Sequence, residues 1–201
     1  MFLSKVLITG AACRNPYEIH RAVWELFPVN AVADRDFLFR VEKSDGRQAE
    51  ILMQSVREPI NNQETAQIIA CRAYPMSLRS EQRLRFLLVA NPVKTINDER
   101  GRQNAKGEIK KCRVPLIDDE SQRAWLVRKL ENAASLESLI VDNKLPLYFR
   151  KLREDRAGKI QPVMYQGILQ VQKADIFQKV ILHGIGPAKA FGCGLLSLAR
   201  A

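Results

Sequence analysis

The sequence predicts an α+β chain of two tandem ferredoxin-like β-α-β-β-α-β units, and three observations carry that expectation. Short alternating apolar runs read as strands, apolar runs with a 3.6-residue period read as helices, and the two kinds follow one another in the same order twice. The repeat is one of element order, not of residue identity. With 201 residues the chain makes one large domain or two small ones, and 46% hydrophobic content suffices for buried cores. The join is expected near residues 78–84, where Leu78-Arg79-Ser80-Glu81-Gln82 is polar and lacks a strong period. The expected domains are therefore 1–80 and 81–201.

Phe2 to Thr9 reads as the first strand. A helix over 16–27 follows, and its start is well signalled: Asn15 suits the cap, Pro16 loses nothing at the first helical position, and Glu18 completes a capping-box-like spacing. Helical geometry gathers Ile19, Val23, Leu26 and Phe27 on one apolar face and puts Tyr17, His20, Arg21 and Trp24 on the adjoining arc. Strands over 36–43 and 49–55 are joined across Ser44-Asp45-Gly46-Arg47, where Asp-Gly signals a tight turn, and Phe37, Phe39 and Val41 share a face. The polar run Asn61-Asn62-Gln63-Glu64-Thr65-Ala66 is expected to open a short second helix, and Ile68 to Tyr74 to form a fourth strand.

In the second unit, Arg83 to Ala90 reads as a strand and residues 119–133 as a helix. That helix buries Trp125, Leu126, Leu130 and Ala133 and carries Asp118, Asp119 and Glu120 at its positive end. Strands over 139–149 and 160–171, a helix over 174–183 and a strand over 192–198 complete the order.

No apolar run approaches the roughly 20 residues that span a bilayer, so a soluble, cytoplasmic protein is expected. Cys13, Cys71, Cys112 and Cys193 are scattered without a C-x-x-C pair, which suggests neither a zinc site nor a disulfide framework. The net charge of +10 lies entirely in the later part: residues 1–70 hold 8 Lys/Arg against 9 Asp/Glu, and residues 71–201 hold 24 against 13. Such asymmetry points to a polyanion, most simply nucleic acid.

Three local patterns refine that reading. Residues 94–113 carry Lys94, Arg100, Arg102, Lys106, Lys110, Lys111 and Arg113 with Gly101 and Gly107, a basic hairpin or loop suited to a phosphate backbone. Arg150, Lys151, Arg153, Arg156 and Lys159 form a second cluster at an expected turn, where bracketing the same ligand and guarding a sheet edge are both open. The segment Gly184 to Gly194 leaves a helix and enters a strand, the reverse of a Rossmann fingerprint, yet it offers close backbone approach and Lys189. His20, at the core's edge beside Tyr17 and Arg21, is a candidate acid/base centre, although packing alone is the plainer use of such a position. His183, near a helix end, reads as structural.

Taken together, five segments resemble the CasE family, the CRISPR RNA endoribonuclease subunit of the type I-E Cascade complex in the RAMP superfamily. They are Leu3-Ser4-Lys5-Val6, Asn15-Pro16-Tyr17-Glu18-Ile19-His20-Arg21, Ala90-Asn91-Pro92-Val93-Lys94-Thr95, Lys110 to Leu116, and Gly184-Ile185-Gly186-Pro187-Ala188-Lys189 running into Gly192-Cys193-Gly194. The resemblance implies a tandem ferredoxin-like (RAMP/RRM-like) fold and a metal-independent endoribonuclease without cofactor. Such an enzyme cuts CRISPR repeat RNA beside its stem-loop by 2′-hydroxyl attack, leaving 2′,3′-cyclic phosphate and 5′-hydroxyl ends. It would keep the mature crRNA among the other Cascade subunits, with no membrane partner. The family's catalytic histidine falls on His20 and its tyrosine on Tyr17. Arg21, Lys94, Lys110, Lys111, Arg113 and Lys189 lie in matching motifs, and Arg102, Lys106, Arg153 and Lys159 from the basic clusters join them as RNA-binding candidates. The competing expectations are a non-catalytic RAMP-type guide-RNA-binding subunit and a DNA-binding structural protein.

Overall fold

The computed structural model describes residues 1–28, 35–61, 64–151 and 156–201. The first half contains β1 (Phe2–Thr9), α1 (Pro16–Trp24), β2 (Phe37–Ser44), β3 (Gln48–Ser55) and β4 (Ala66–Ala73). The second contains β5 (Arg83–Ala90), β6 (Val93–Asn97), β7 (Lys111–Pro115), α2 (Asp119–Leu130), β8 (Ala134–Asn143), β9 (Leu147–Lys151), β10 (Arg156–Ile160), β11 (Val163–Val171), α3 (Ala174–His183) and β12 (Leu196–Arg200). Two four-stranded antiparallel sheets result, ordered β2-β3-β1-β4 and β12-β5-β11-β8. With the small hairpins β6-β7 and β9-β10 set aside, both have the strand order of a ferredoxin-like unit. The expected architecture is therefore present, with the second unit elaborated by two inserted hairpins.

Each sheet builds its own core. Val6, Ile8, Ile51 and Met53 of the first sheet meet Ile19, Val23 and Leu26 from α1 and the turn after it, all buried. Leu88, Tyr165 and Leu169 of the second meet Trp125, Leu126 and Leu130 of α2 and Phe177 and Ile181 of α3. The amphipathic faces read from the sequence supply these contacts, and their burial is the main force holding each unit together.

Four expectations are corrected. The second helix of the first unit is not formed among the described residues: a turn at Glu64-Thr65 leads directly into β4, while Asn62 and Gln63 lie outside the described residues. This polar stretch has no apolar face to bury and is fastened instead by the Thr9 N–H to the Thr65 carbonyl (3.0 Å) and the Ile68 N–H to Asn61 Oδ1 (2.9 Å). The expected strands over 139–149 and 160–171 are each divided, because Pro146 and Pro162 cannot donate to a ladder and the chain leaves the sheet between them as hairpin β9-β10. The last strand starts at Leu196 rather than residue 192, since Gly192 and Gly194 stand at φ +80° and +95°, outside the extended backbone a strand requires. The first two helices also stop three residues short of the expected ends, at Trp24 and Leu130.

The first half of β2, Phe37 to Arg40, is buried on both faces, although its sequence suggested a one-sided strand. Phe37 and Phe39 enter the first core, while Leu38 and Arg40 face the second unit. Arg40, 6% exposed, donates to Ser197 Oγ (2.8 Å) and the Leu87 carbonyl (3.3 Å) and pairs with Glu42 (2.6 Å). Gln54 of β3 adds a bond to the Ile181 carbonyl at 3.0 Å. Removing the guanidinium strands a carbonyl and a hydroxyl in a buried seam, so Arg40→Ala is expected to cost about 2 kcal/mol. Urea unfolding should show a lower midpoint at unchanged slope.

Candidate functional site

The site is assembled where α1 of the first unit meets three segments of the second. Asn15 caps α1 by accepting the Tyr17 N–H (3.2 Å), and its amide donates to the Arg150 carbonyl of β9 (2.8 Å). The cap therefore fixes both the helix start and the hairpin beside it. One turn further on, the Tyr17 ring lies 6.5 Å from Phe191 of the glycine-rich segment, and Phe191 packs at 4.3 Å on Phe149 of β9. Gly158 of β10 is the floor under Phe149: a Cβ there would stand 2.2 Å from the ring.

The glycine-rich segment is positioned by close contact with protein. Gly184 ends α3 at φ +73°, and a Cβ on it would meet Leu38 of β2 at 2.7 Å. Gly186, at φ +80°, lies equally tight on Trp125, where a Cβ would stand at 2.8 Å. Only glycine satisfies both the backbone and the space. The segment closes on itself through the Ile185 N–H to the Gly194 carbonyl (2.9 Å), and Lys189 within it donates to the His183 carbonyl at the negative end of α3.

Beside it opens a cleft of about 990 Å³, lined by Arg35, Arg113, Lys129, Lys179 and Lys189 over Trp125, Val180 and Ile185, with no carboxylate among its lining residues. Burial lowers the Lys189 pKa, and the charges of Arg35 and Lys129 lower it further. Cations held together without carboxylates constitute a site for an anion. His183 also lines this cleft, but its Nδ1 bonds the Lys179 carbonyl of its own helix (2.8 Å), in keeping with a structural role.

His20 stands half-buried on α1 in an aromatic setting. Its ring stacks over Phe39 (6.4 Å, 21°), lies 5.8 Å from Phe37, and accepts the Trp24 indole N–H at Nε2 (3.2 Å). Burial first, and the Arg35 charge second, push its pKa down from 6.5 to about 4. Arg35 thus acts electrostatically on both the imidazole and Lys189, which links His20 to the cleft. The ring is neutral and partly desolvated, and Arg35, the charge that acts on it, lines the cationic cleft.

The other candidates are more dispersed. Arg113 lines the cleft, and Lys111 shares its face of hairpin β6-β7, opposite Asn97 as Arg113 is opposite Thr95. Lys94 lies on the reverse face, where it is the least of the influences, led by the Ser121 N–H, that lower the Asp118 pKa. Arg102 is paired with Asp98, whose carboxyl it holds low with weaker help from Lys110. Lys106 is exposed in the turn, with its N–H on Asn104 Oδ1 (2.9 Å). Arg21 pairs with Glu18 (2.9 Å) on the exposed side of α1, and Lys159 lies 5.8 Å from the Tyr148 ring centroid. Arg153 lies outside the described residues. The sequence reading missed Arg35, Lys129 and Lys179, which lie far apart along the chain and become a cluster only when the segment entering β2 packs with α2 and α3.

A model of the CRISPR-associated protein family matches residues 1–200. The chain belongs to that family. It is 44% identical over 200 residues to the Escherichia coli protein named CRISPR system Cascade subunit CasE, with 99% of each chain covered. Its fold superposes on the crystal structure of the CRISPR-associated protein Cas6e from Escherichia coli with a TM-score of 0.86 at 42% identity, covering all of both chains. The CRISPR endoribonuclease Cse3 bound to a 19-nucleotide RNA gives a TM-score of 0.75 at 28% identity, again over both full lengths. The resemblance to CasE read from five segments is borne out over the whole chain.

In this CRISPR-associated protein the neutral state of His20 has a measurable consequence. The native ring stays unprotonated down to about 4, whereas an unfolded chain takes up the proton near 6.5. Stability from this source is complete above 6.5 and is lost as pH falls through the window to 4. Relative to a His20→Phe variant, the wild type should lose more stability between pH 7 and 4, measured by urea unfolding. Titration of the His20 ring by NMR should show the low midpoint directly.

Proposed function

We propose that this chain is an endoribonuclease that binds the stem-loop of CRISPR repeat RNA and cleaves the precursor without a metal ion. It then keeps the mature crRNA as a Cascade subunit in the cytoplasm. The observation that carries the reading is that the helix bearing His20 lies, through Tyr17, 6.5 Å from Phe191, a lining residue of the carboxylate-free cationic cleft, with Arg35 both lining that cleft and acting on the imidazole. Two relatives support it: CasE is named as a Cascade subunit, and Cse3 is described as an endoribonuclease bound to RNA.

In the proposed reaction the ribose 2′-oxygen bonds to the adjacent phosphorus and the bond from phosphorus to the 5′-oxygen breaks. The 2′-hydroxyl loses a proton and the departing 5′-oxygen gains one, leaving a 2′,3′-cyclic phosphate and a 5′-hydroxyl. His20 serves proton transfer, and Tyr17, on the same helix, orients the reacting ribose. Arg35, Arg113 and Lys189 lower the energy of the phosphorane's added negative charge, the task a metal ion performs in other nucleases. The basic face of hairpin β6-β7, with Lys111 and Arg113, binds the stem through its phosphates, as the A-form groove geometry favours. Arg21, Lys94, Arg102, Lys106, Lys110, Arg153 and Lys159 complete the proposed RNA contacts.

The deciding experiment incubates the purified protein with repeat stem-loop RNA in EDTA and identifies the end groups. Cyclic-phosphate and 5′-hydroxyl products are expected, and a 2′-deoxy substitution at the cut nucleotide should abolish cleavage. His20→Ala should slow cleavage by about 10²–10⁴-fold with RNA binding retained. Unchanged cleavage by this variant would reject His20 as the catalyst, whereas RNA binding without any cleavage by the wild type would leave the protein as a guide-RNA-binding subunit. Arg35→Ala and Lys189→Ala should each weaken RNA binding and reduce the salt dependence of log K by about one ion.

A further inference from the structure

We propose that Trp24 is a positioning residue for His20: by donating its indole N–H to Nε2, it holds the imidazole as the tautomer that carries its proton on Nδ1. The proposal rests on the reading of His20 as the proton-transfer group.

Trp24 follows His20 by four residues, so the two side chains share one face of α1. The indole nitrogen is 3.2 Å from Nε2, with the rings edge to face at 80°. An indole N–H donates and never accepts, so Nε2 must be unprotonated while the bond lasts. In the neutral ring the hydrogen then resides on Nδ1. The donor is aimed by its own packing: Phe37 meets the indole edge to face at 5.0 Å and stacks in turn on Phe27 at 5.3 Å, while Phe39 supports the imidazole. A site that needed only bulk would be served by any aromatic ring.

Two consequences follow for the chemistry. The edge of His20 away from Trp24 can only donate a hydrogen bond to the substrate, and the neutral ring accepts a proton at Nε2 alone, so proton transfer to His20 requires the Trp24 bond to open. Protonation at Nε2 would set two N–H groups against each other, so the bond favours the neutral ring, in the same sense as burial and the Arg35 charge. The groups packed around the imidazole are Trp24 of α1 and Phe37 and Phe39 of β2; the charged group acting on it is Arg35, and the Glu18–Arg21 pair lies on its own helix.

Trp24→Phe keeps an aromatic ring and deletes the donor. In the free protein, ¹⁵N NMR of the imidazole should move from the Nδ1–H tautomer toward the Nε2–H form, and the His20 midpoint should rise by about half to one pH unit, the size of one neutral hydrogen bond. The His20 limb of the kcat/KM profile for repeat RNA should rise equally, with RNA affinity unchanged. Benzothienylalanine at position 24, which puts sulfur in place of the N–H within the same outline, repeats the test without a cavity. Trp24→Gln, which returns an N–H donor, should recover part of the original tautomer. An unmoved tautomer or an unmoved pH limb in the Phe and benzothienyl variants overturns the proposal. Full cleavage by His20→Ala overturns instead the reading beneath it, and the NMR of the free protein separates the two failures.

Discussion

The close approach of the glycine-rich backbone to β2 and α2 is the constraint on which the rest depends. At Gly184 and Gly186 the chain passes so near Leu38 and Trp125 that a methyl group has no space, and both residues need a left-handed backbone. Because that passage is fixed, Phe191 reaches Tyr17 and Phe149, Lys189 reaches the end of α3, and a cleft opens beside Trp125. A bulkier residue would not merely destabilise a loop. It would separate the imidazole-bearing helix from the cations that complete the site.

The electrostatics of the two halves of the site are opposed and mutually useful. Arg35, Arg113, Lys129, Lys179 and Lys189 accumulate positive charge where a phosphate can be bound. The charge of Arg35, added to burial, makes a second cation at His20 unfavourable, so the imidazole is unprotonated at neutral pH. One arrangement therefore both attracts an anion and keeps its neighbour neutral.

Much of this was legible in the sequence, and the reasons are physical. The α1 cap, the α2 core face and the Asp-Gly turn are local, written in residues a few positions apart, and each formed as expected. The second helix of the first unit was misread because polar residues favour a helix start and a tight turn alike, and only the bonds from Thr9 and Ile68 decide between them. The divided strands followed from Pro146 and Pro162, whose missing donors matter only against a specified partner strand. His20, Tyr17 and Lys189 were visible because their motifs are compact. Arg35, Lys129 and Lys179 were not, since a cluster drawn from three separate segments has no linear signature.

The Arg40 seam carries a meaning for how the chain is made. Its partner hydroxyl, Ser197, lies 157 positions later in the sequence, on a strand that pairs with β5. An emerging polypeptide can build the first sheet and α1 early, but the outer face of β2 takes its partners from Leu87, Gly184 and Ser197 and is complete only with the last of these. The strand that supports His20 thus reaches its final surroundings only when the segment around Ser197 has been translated, so assembly of the site is timed by one of the longest loop closures in the molecule.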